Sequence, residues 1–392
     1  MKLIRFACVS LFACGNVVHG SASDAAAQDA AAADASAPID AAAACGDGHR
    51  DRGEICFGAP ITFNATDTAY DAHLADVDGD GALDLVYLTT EHLVFHAQSQ
   101  GQFPATGING PTVAGTYAIA LQLNTSPVAE LVVAGAALTT YVRPDQGAYA
   151  QASAIAMPAG KSCEALAAGK VTGGMLPDVA TVYGSAIHLA QYAANLTATE
   201  IPAGGAGVAV PGANGLAIGA LDSDAYADVV VSGQGINFLR GGVAGLGGIN
   251  ATPQTAVTDA VALGDLNGDH VLDIAFVEAD AGRLSTMIAT GTGGFLAPSS
   301  VPVDSIGQMI DTADIDGDGL TDVITVRKQS SGSAVIIALG RADGTLAPPV
   351  ALAIPLTPDY LHADADYNGD GVNDIVVTDI HRKMITILTS TP

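Results

Sequence analysis

A nine-residue pattern recurs along this chain and constrains its architecture more than any other feature. Asp76-Val-Asp78-Gly-Asp80-Gly-Ala-Leu-Asp84 is matched by Asp265-Leu-Asn267-Gly-Asp269-His-Val-Leu-Asp273, by Asp314-Ile-Asp316-Gly-Asp318-Gly-Leu-Thr-Asp322 and by Asp366-Tyr-Asn368-Gly-Asp370-Gly-Val-Asn-Asp374. Three degenerate copies lie between the first and second of these. Residues 122–130 keep Asn124 and Glu130, residues 170–178 keep only Asp178, and residues 220–228 keep Asp222, Asp224 and Asp228 but open on Ala220. The copies start at 76, 122, 170, 220, 265, 314 and 366, at intervals of 45–52 residues. Self-similarity at such a period marks a repeat architecture, in which each unit buries its apolar surface only against its neighbours.

The surroundings of the loops repeat as well. A small residue such as Ala75, Gly219 or Ala313 comes before, and an apolar run such as Val229-Val230-Val231 or Ile375-Val376-Val377 comes after. A second apolar run, a Gly-rich turn and a short outer strand complete each unit. Four short strands per repeat is the signature of a propeller blade. The last copy stops after its third strand, Met384 to Leu388, whereas Ile61-Thr62-Phe63 precedes the first loop as a strand without a blade. Pairing the two closes a ring and removes an exposed sheet edge. The expected fold is therefore all-β: a seven-bladed β-propeller over residues 60–392, closed by its N-terminal strand. The composition agrees, with 46 glycines, 18 prolines and no tryptophan, as suits short strands joined by turns.

These loops and their surroundings resemble the FG-GAP/VCBS-repeat family, the calcium-binding β-propellers typified by integrin α chains. The likeness covers roughly residues 60–392. It implies that each Dx[DN]xDGxxD loop joins the first two strands of a blade and holds a calcium ion. Ligands of the propeller would then meet the loops on the opposite face.

The loop chemistry fits that implication. Calcium takes about six to eight hard oxygen ligands. Loop positions one, three and five offer carboxylate or amide oxygens, position seven offers a carbonyl, and position nine closes the shell from the next strand. The expected ligands are Asp76, Asp78, Asp80 and Asp84; Asp265, Asn267, Asp269 and Asp273; Asp314, Asp316, Asp318 and Asp322; and Asp366, Asn368, Asp370 and Asp374. Four structural Ca²⁺ ions are thus expected, with blade four in doubt and blades two and three metal-free. His270 stands where the other full copies have glycine, so its turn is expected to be strained. An EF-hand is excluded, because its position-twelve Glu is replaced by Tyr87, Phe276, Thr325 or Val377 inside apolar runs.

The formal net charge of −27, with only 14 Lys plus Arg, makes nucleic acid a poor partner, since little is available to neutralise phosphates. It also opposes compaction unless the charge is solvated or neutralised by cations.

The N-terminus reads as an export signal over residues 1–20, with a basic start at Lys2 and Arg5 and a short apolar run. Leu11-Phe12-Ala13-Cys14 is a candidate lipobox that would lipidate Cys14; a plain secretory cleavage near Val18-His19-Gly20 is the alternative. Either leads out of the cytoplasm, to the cell surface or the medium, with membrane attachment only through a lipid on Cys14. Residues 21–44, rich in Ala and Asp, read as a tether. Residues 45–59 form a small segment in which Cys45 and Cys56 bracket a turn-rich loop; in an oxidising compartment a local disulfide is the simplest reading. Cys163 reads as a buried apolar residue.

No catalytic constellation stands out. The acids are largely accounted for by the loops, and His92 and His96 lie in a strand context without an HExxH motif. His73 and His362 fall on innermost strands, where they could line the channel. GGVAGLGG at 241–248 lacks the Lys-Ser/Thr ending of a phosphate loop. Three functions remain open: a binding or adhesion module for an unidentified protein or glycan outside the cell, a lectin-like propeller, and a polysaccharide-degrading enzyme. The absence of Trp and an aromatic content of 5% weigh against the lectin. The sparse basic residues weigh against the enzyme.

Overall fold

A computed structural model of the chain describes Cys45 and residues 53–65, 67–99, 101–144, 147–201, 207–329 and 332–391. The export signal with Cys14 and the linker 21–44 lie outside the described residues. Among those residues the strands form seven sheets, and the only helical turn is a short 3-10 stretch at Ala279–Ala281. No described helix is long and apolar enough to cross a membrane.

Each sheet is one blade of antiparallel strands, paired in chain order except in blade seven, and blade three adds a short fifth strand, Val208–Ala209, beside Ala186–Tyr192. In blade one the strands are Ala69–Ala75, Asp84–Thr89, His92–His96 and Ile108–Thr112. The innermost strands of blades two to seven are Gly115–Leu121, Cys163–Gly169, Gly215–Gly219, Ala260–Gly264, Ile306–Ala313 and Tyr360–Ala365. Each innermost strand touches the next, and Tyr360–Ala365 touches Ala69–Ala75, so the ring is closed. In blade seven the first three strands are Tyr360–Ala365, Asp374–Asp379 and Met384–Leu388. Its fourth is Ile61–Asn64, which runs antiparallel to Met384–Leu388 with Ile61 opposite Ile387 and Asn64 opposite Met384.

Burial explains why the runs after the loops are apolar throughout instead of alternating. The second strand of a blade packs against a neighbouring blade on both of its faces. Every residue of Asp84–Thr89, Asp178–Tyr183, Asp228–Gly233, Asp273–Glu278 and Asp374–Asp379 is buried. Outer strands such as Ile249–Ala251 are exposed at every residue. The apolar side chains gather in seven clusters, one between each pair of adjacent blades. The core is thus distributed around the ring, as expected of units that cannot bury their faces alone.

The segment before the first strand extends blade seven instead of standing apart. Cys45 and Cys56 form a disulfide with Cα atoms 5.4 Å apart. Phe57 bridges to Ser390, the Gly58 amide donates to the Thr389 carbonyl at 2.8 Å, and the Thr391 amide donates to the Cys56 carbonyl at 3.1 Å. Ile55 and Phe57 pack on the cluster between blades six and seven.

Candidate metal centres

The nine-residue loops each connect the first strand of a blade to the second, so all lie on one face of the ring. In the four full copies one hydrogen-bond pattern recurs. The position-one carboxylate caps the turn: in blade one the Gly79 and Gly81 amides donate to Asp76 at 2.6 and 2.9 Å. In blade six Gly317 and Gly319 donate to Asp314 at 2.7 and 2.9 Å, and in blade seven Gly369 and Gly371 donate to Asp366 at 2.7 and 2.8 Å. Position three accepts from the amide of position five, and position five from the amide of position seven, as Asp78 and Asp80 do at 3.1 and 2.8 Å. These short side chains bonding to amides two residues on hold the loop wound without secondary structure.

The sixth loop position requires a left-handed backbone. Gly81, Gly319 and Gly371 have φ of 88, 86 and 90°. His270 holds φ 65° at the same place and still donates its amide to Asp265 at 2.8 Å. The turn is therefore kept at the steric cost that glycine avoids.

Position nine opens the second strand and is buried. One oxygen of Asp84 accepts from Val77 at 3.0 Å and the other from Gln98 at 2.7 Å. The equivalent donors are Leu266 and Ala289 for Asp273 at 3.2 and 2.8 Å, and Ile315 and Gly340 for Asp322 at 2.8 and 2.9 Å. Tyr367 and Ser390 serve Asp374, both at 2.6 Å. Burial, reinforced by the neighbouring loop carboxylates, pushes Asp84 up to about 6, Asp273 to about 7 and Asp322 to about 8, against the pull of the amide donors. Asp374 is raised by burial too. In blades one and six three carboxylates converge, with ligand atoms of Asp76, Asp78 and Asp84, and of Asp314, Asp316 and Asp322, all within 4.8 Å of one another. In blades five and seven the third position is Asn267 or Asn368, which supplies a neutral oxygen.

Two features of these loops escaped the sequence reading. Position two, an apparently free place in the pattern, is Val77, Leu123, Val171, Leu221, Leu266, Ile315 or Tyr367. All but Tyr367 are buried in the clusters between blades, which anchors the loop to the core. The signal was present as an apolar residue in every copy. The second is a contact from outside the repeat: the Gly53 amide donates to Asp316 Oδ2 at 2.7 Å, joining the disulfide-bonded segment to the blade-six loop. Nothing in the spacing of the repeat announces it.

The degenerate loops keep the fold of the turn with other donors. In blade two Glu130 accepts from the Leu123 amide at 2.6 Å and from the Asn124 side chain. In blade three the Thr172 amide and hydroxyl donate to Asp178 at 2.6 and 3.0 Å. In blade four Asp222 pairs with Arg240.

The other singled-out residues are in ordinary surroundings, with one exception. Cys163 is buried and free, its thiol pushed up to about 12 by burial. His96 is buried against Phe63, its Nδ1 2.8 Å from the Pro104 carbonyl. His73 and His362 do lie on innermost strands, but buried instead of facing an open channel. His362 Nε2 is 2.6 Å from Asp71 Oδ1, and His73 Nε2 is 2.8 Å from the Ala118 carbonyl. Burial works to raise Asp71, but the two imidazoles outweigh it and hold the carboxyl well below the usual range. Because Asp71 also accepts from the Ala118 amide at 3.1 Å, this cluster ties blades seven, one and two together where the ring closes.

Residues 265–325 and 314–377 match the family of FG-GAP-like repeats. The chain is a β-propeller whose blades five to seven carry FG-GAP-like repeats. Solved propellers share the fold across most of the chain. BBS1N, from a mercury-soaked crystal of its complex with ARL6DN, aligns with a TM-score of 0.59 at 14% identity, covering 86% of this chain and 97% of that one. An Agrocybe aegerita lectin that recognises non-reducing terminal N-acetylglucosamine aligns with a TM-score of 0.55 at 13% identity, covering 83% and 96%. At these identities the likeness is one of fold. No curated protein matches the chain.

Proposed function

We propose that this propeller is a calcium-stiffened binding module that works outside the cytoplasm. The observation that carries the reading is the fourfold recurrence of one oxygen-donor loop, in blades one, five, six and seven, each with a buried carboxylate at position nine. The donor set suits calcium: hard oxygens only, on a wound loop, with the position-nine acid disfavoured as an anion unless a cation joins it. Asp76, Asp78, Asp80 and Asp84 would hold the ion in blade one. Asp265, Asn267, Asp269 and Asp273 would do so in blade five, Asp314, Asp316, Asp318 and Asp322 in blade six, and Asp366, Asn368, Asp370 and Asp374 in blade seven. The ion would supply charge compensation there; the protein supplies the cage. Four such ions would offset eight of the 27 excess negative charges.

The role in binding follows from what surrounds the sites. The wound loops and the closed ring make a platform on which a ligand could dock. The two fold neighbours bind a protein, ARL6, and a glycan, and they support a ligand of either kind here. The export signal, with or without lipid on Cys14, would place the disc at the cell surface or in the medium, where millimolar calcium and an oxidising setting suit its loops and the Cys45–Cys56 bridge.

A lectin-like reading is favoured by one feature. A cavity of about 280 Å³ opens between blades one and two, lined among others by Phe95, Asn109, Arg143 and Tyr149. Phe95 and Tyr149 stack there at 5.1 Å, and side chains of this kind commonly recognise sugars. A glycan array separates the readings: specific signal lost on Tyr149→Ala supports a lectin, and silence across the array leaves a protein ligand. The calcium role is tested by melting curves in calcium and in EGTA, with a large upward shift expected in calcium. Coincident curves would end the structural role.

A further inference from the structure

We infer that blade four carries its own cation: the guanidinium of Arg240 takes the place that calcium has in the full loops. The inference rests on the calcium reading of blades one, five, six and seven.

Blade four has the shape of a full loop. Its position-nine acid, Asp228, accepts from Leu221 at 3.2 Å and from Gly241 at 3.0 Å, the same two places that supply donors in the full copies. Asp222 accepts from Asp224, and Asp224 from Tyr226, at 3.0 and 2.7 Å, as positions three and five do elsewhere. What is missing is position one, where Ala220 offers no oxygen. The position-three carboxylate is committed elsewhere, in an ion pair between Asp222 Oδ2 and Arg240 Nη1. The Asp222 side chain is only 8% exposed, so an unpaired charge there would be costly.

Arg240 is held in this position by its surroundings. Its guanidinium carbon lies 5.9 Å from the Phe238 ring centroid, and its Nη2 donates to the Thr292 carbonyl at 3.4 Å in the neighbouring blade. A Cβ on Gly293 would meet Arg240 Nη2 at 1.8 Å, so a side chain there would displace the guanidinium from its present place; φ there is +77°. The residue that directly precedes the position-nine amide donor is Arg240 in blade four. In the four full blades it is Ala97, Ile288, Leu339 or Thr389, none of them cationic. The cation and the lost ligand therefore occur in the same blade. A fixed guanidinium compensates a carboxylate without needing the coordination shell that Ala220 can no longer complete.

The test counts bound calcium by equilibrium dialysis with metal analysis. Asp222→Asn should leave the count at the wild-type value, because blade four holds no ion. Restoring the first ligand and removing the resident charge, as Ala220→Asp with Arg240→Met, should raise the count by one. Ala220→Asp alone should not raise it. A count that falls by one in Asp222→Asn would overturn the inference, and so would a folded double variant that gains no ion. A wild-type count of zero would instead defeat the reading of the other four loops, and the difference between variants would still decide the role of Arg240.

Discussion

Replacing Asp322 by asparagine should stabilise the protein under one set of conditions and destabilise it under another. Asp322 is 1% exposed, and burial raises its carboxyl to about 8. An aspartate in an unfolded chain titrates near about 4. Between those values the folded state binds the extra proton, so calcium-free stability falls as pH rises from about 4 to about 8. Below that window the group contributes no penalty, and above it the whole penalty is present. At ~1.4 kcal/mol per pH unit, full ionisation of this group opposes folding by roughly 5 kcal/mol. Asp322→Asn removes that charge. It also leaves either the Ile315 or the Gly340 amide without its acceptor, at a cost of about 1–3 kcal/mol. In EGTA at pH 8 the variant should therefore match or exceed wild type by up to a few kcal/mol. In calcium the order reverses, since wild type gains about 4 kcal/mol per site when the ion is at ~1,000 times its dissociation constant and the variant loses the blade-six site. Urea unfolding at pH 5 to 9, with calcium or EGTA, reads both effects. If Asp322→Asn is destabilised equally in both buffers at pH 8, the carboxylate serves only its two amides, and the argument for a metal at position nine fails.

Further consequences follow from particular contacts. His270→Gly should stabilise the chain by about 1 kcal/mol in urea, because glycine adopts the φ of 65° without the side-chain penalty; a destabilised variant would mean that the imidazole has a role the turn does not reveal. Opening the Cys45–Cys56 bridge by Cys45→Ser with Cys56→Ser should weaken calcium binding at blade six alone, since the Gly53 amide that orients Asp316 is then less firmly held; terbium luminescence on wild type and double variant would show one site shifted severalfold and the others unchanged. Phe63→Ala should cost about 3–5 kcal/mol, as for other buried aromatics, because Phe63 fills the cluster between blades seven and one at the ring closure; a loss under 1 kcal/mol by denaturant titration would show that the N-terminal strand is dispensable. Cys163 should react with a thiol reagent only as the protein unfolds, given its buried thiol.

The fold was legible because its information is periodic. Seven spaced loops and the apolar runs after them set the number of blades, and the surplus strand at Ile61-Thr62-Phe63 matches the blade that lacks one. The candidate loop residues were legible for the same reason: Asp76 or Asp314 is recognisable by its place in a pattern. What could not be read were partnerships between residues far apart in sequence and outside the period. Arg240 lies 18 residues from Asp222, and Gly53 lies 263 residues from Asp316. The Asp71–His362 pair spans 291 residues and depends on the ring being closed. The Gly53 and Asp71 contacts arise from packing around the ring, which a repeat positions but does not encode in any single copy, whereas the Arg240–Asp222 pair lies within blade four and is particular to that copy.

Anomalous diffraction from crystals grown with calcium would locate any ion held by the four full loops. One anomalous peak is expected within each cage formed by Asp76 to Asp84, Asp265 to Asp273, Asp314 to Asp322 and Asp366 to Asp374, and none in the loops of blades two, three and four. Well-ordered loops without a peak in those four cages would contradict the calcium reading.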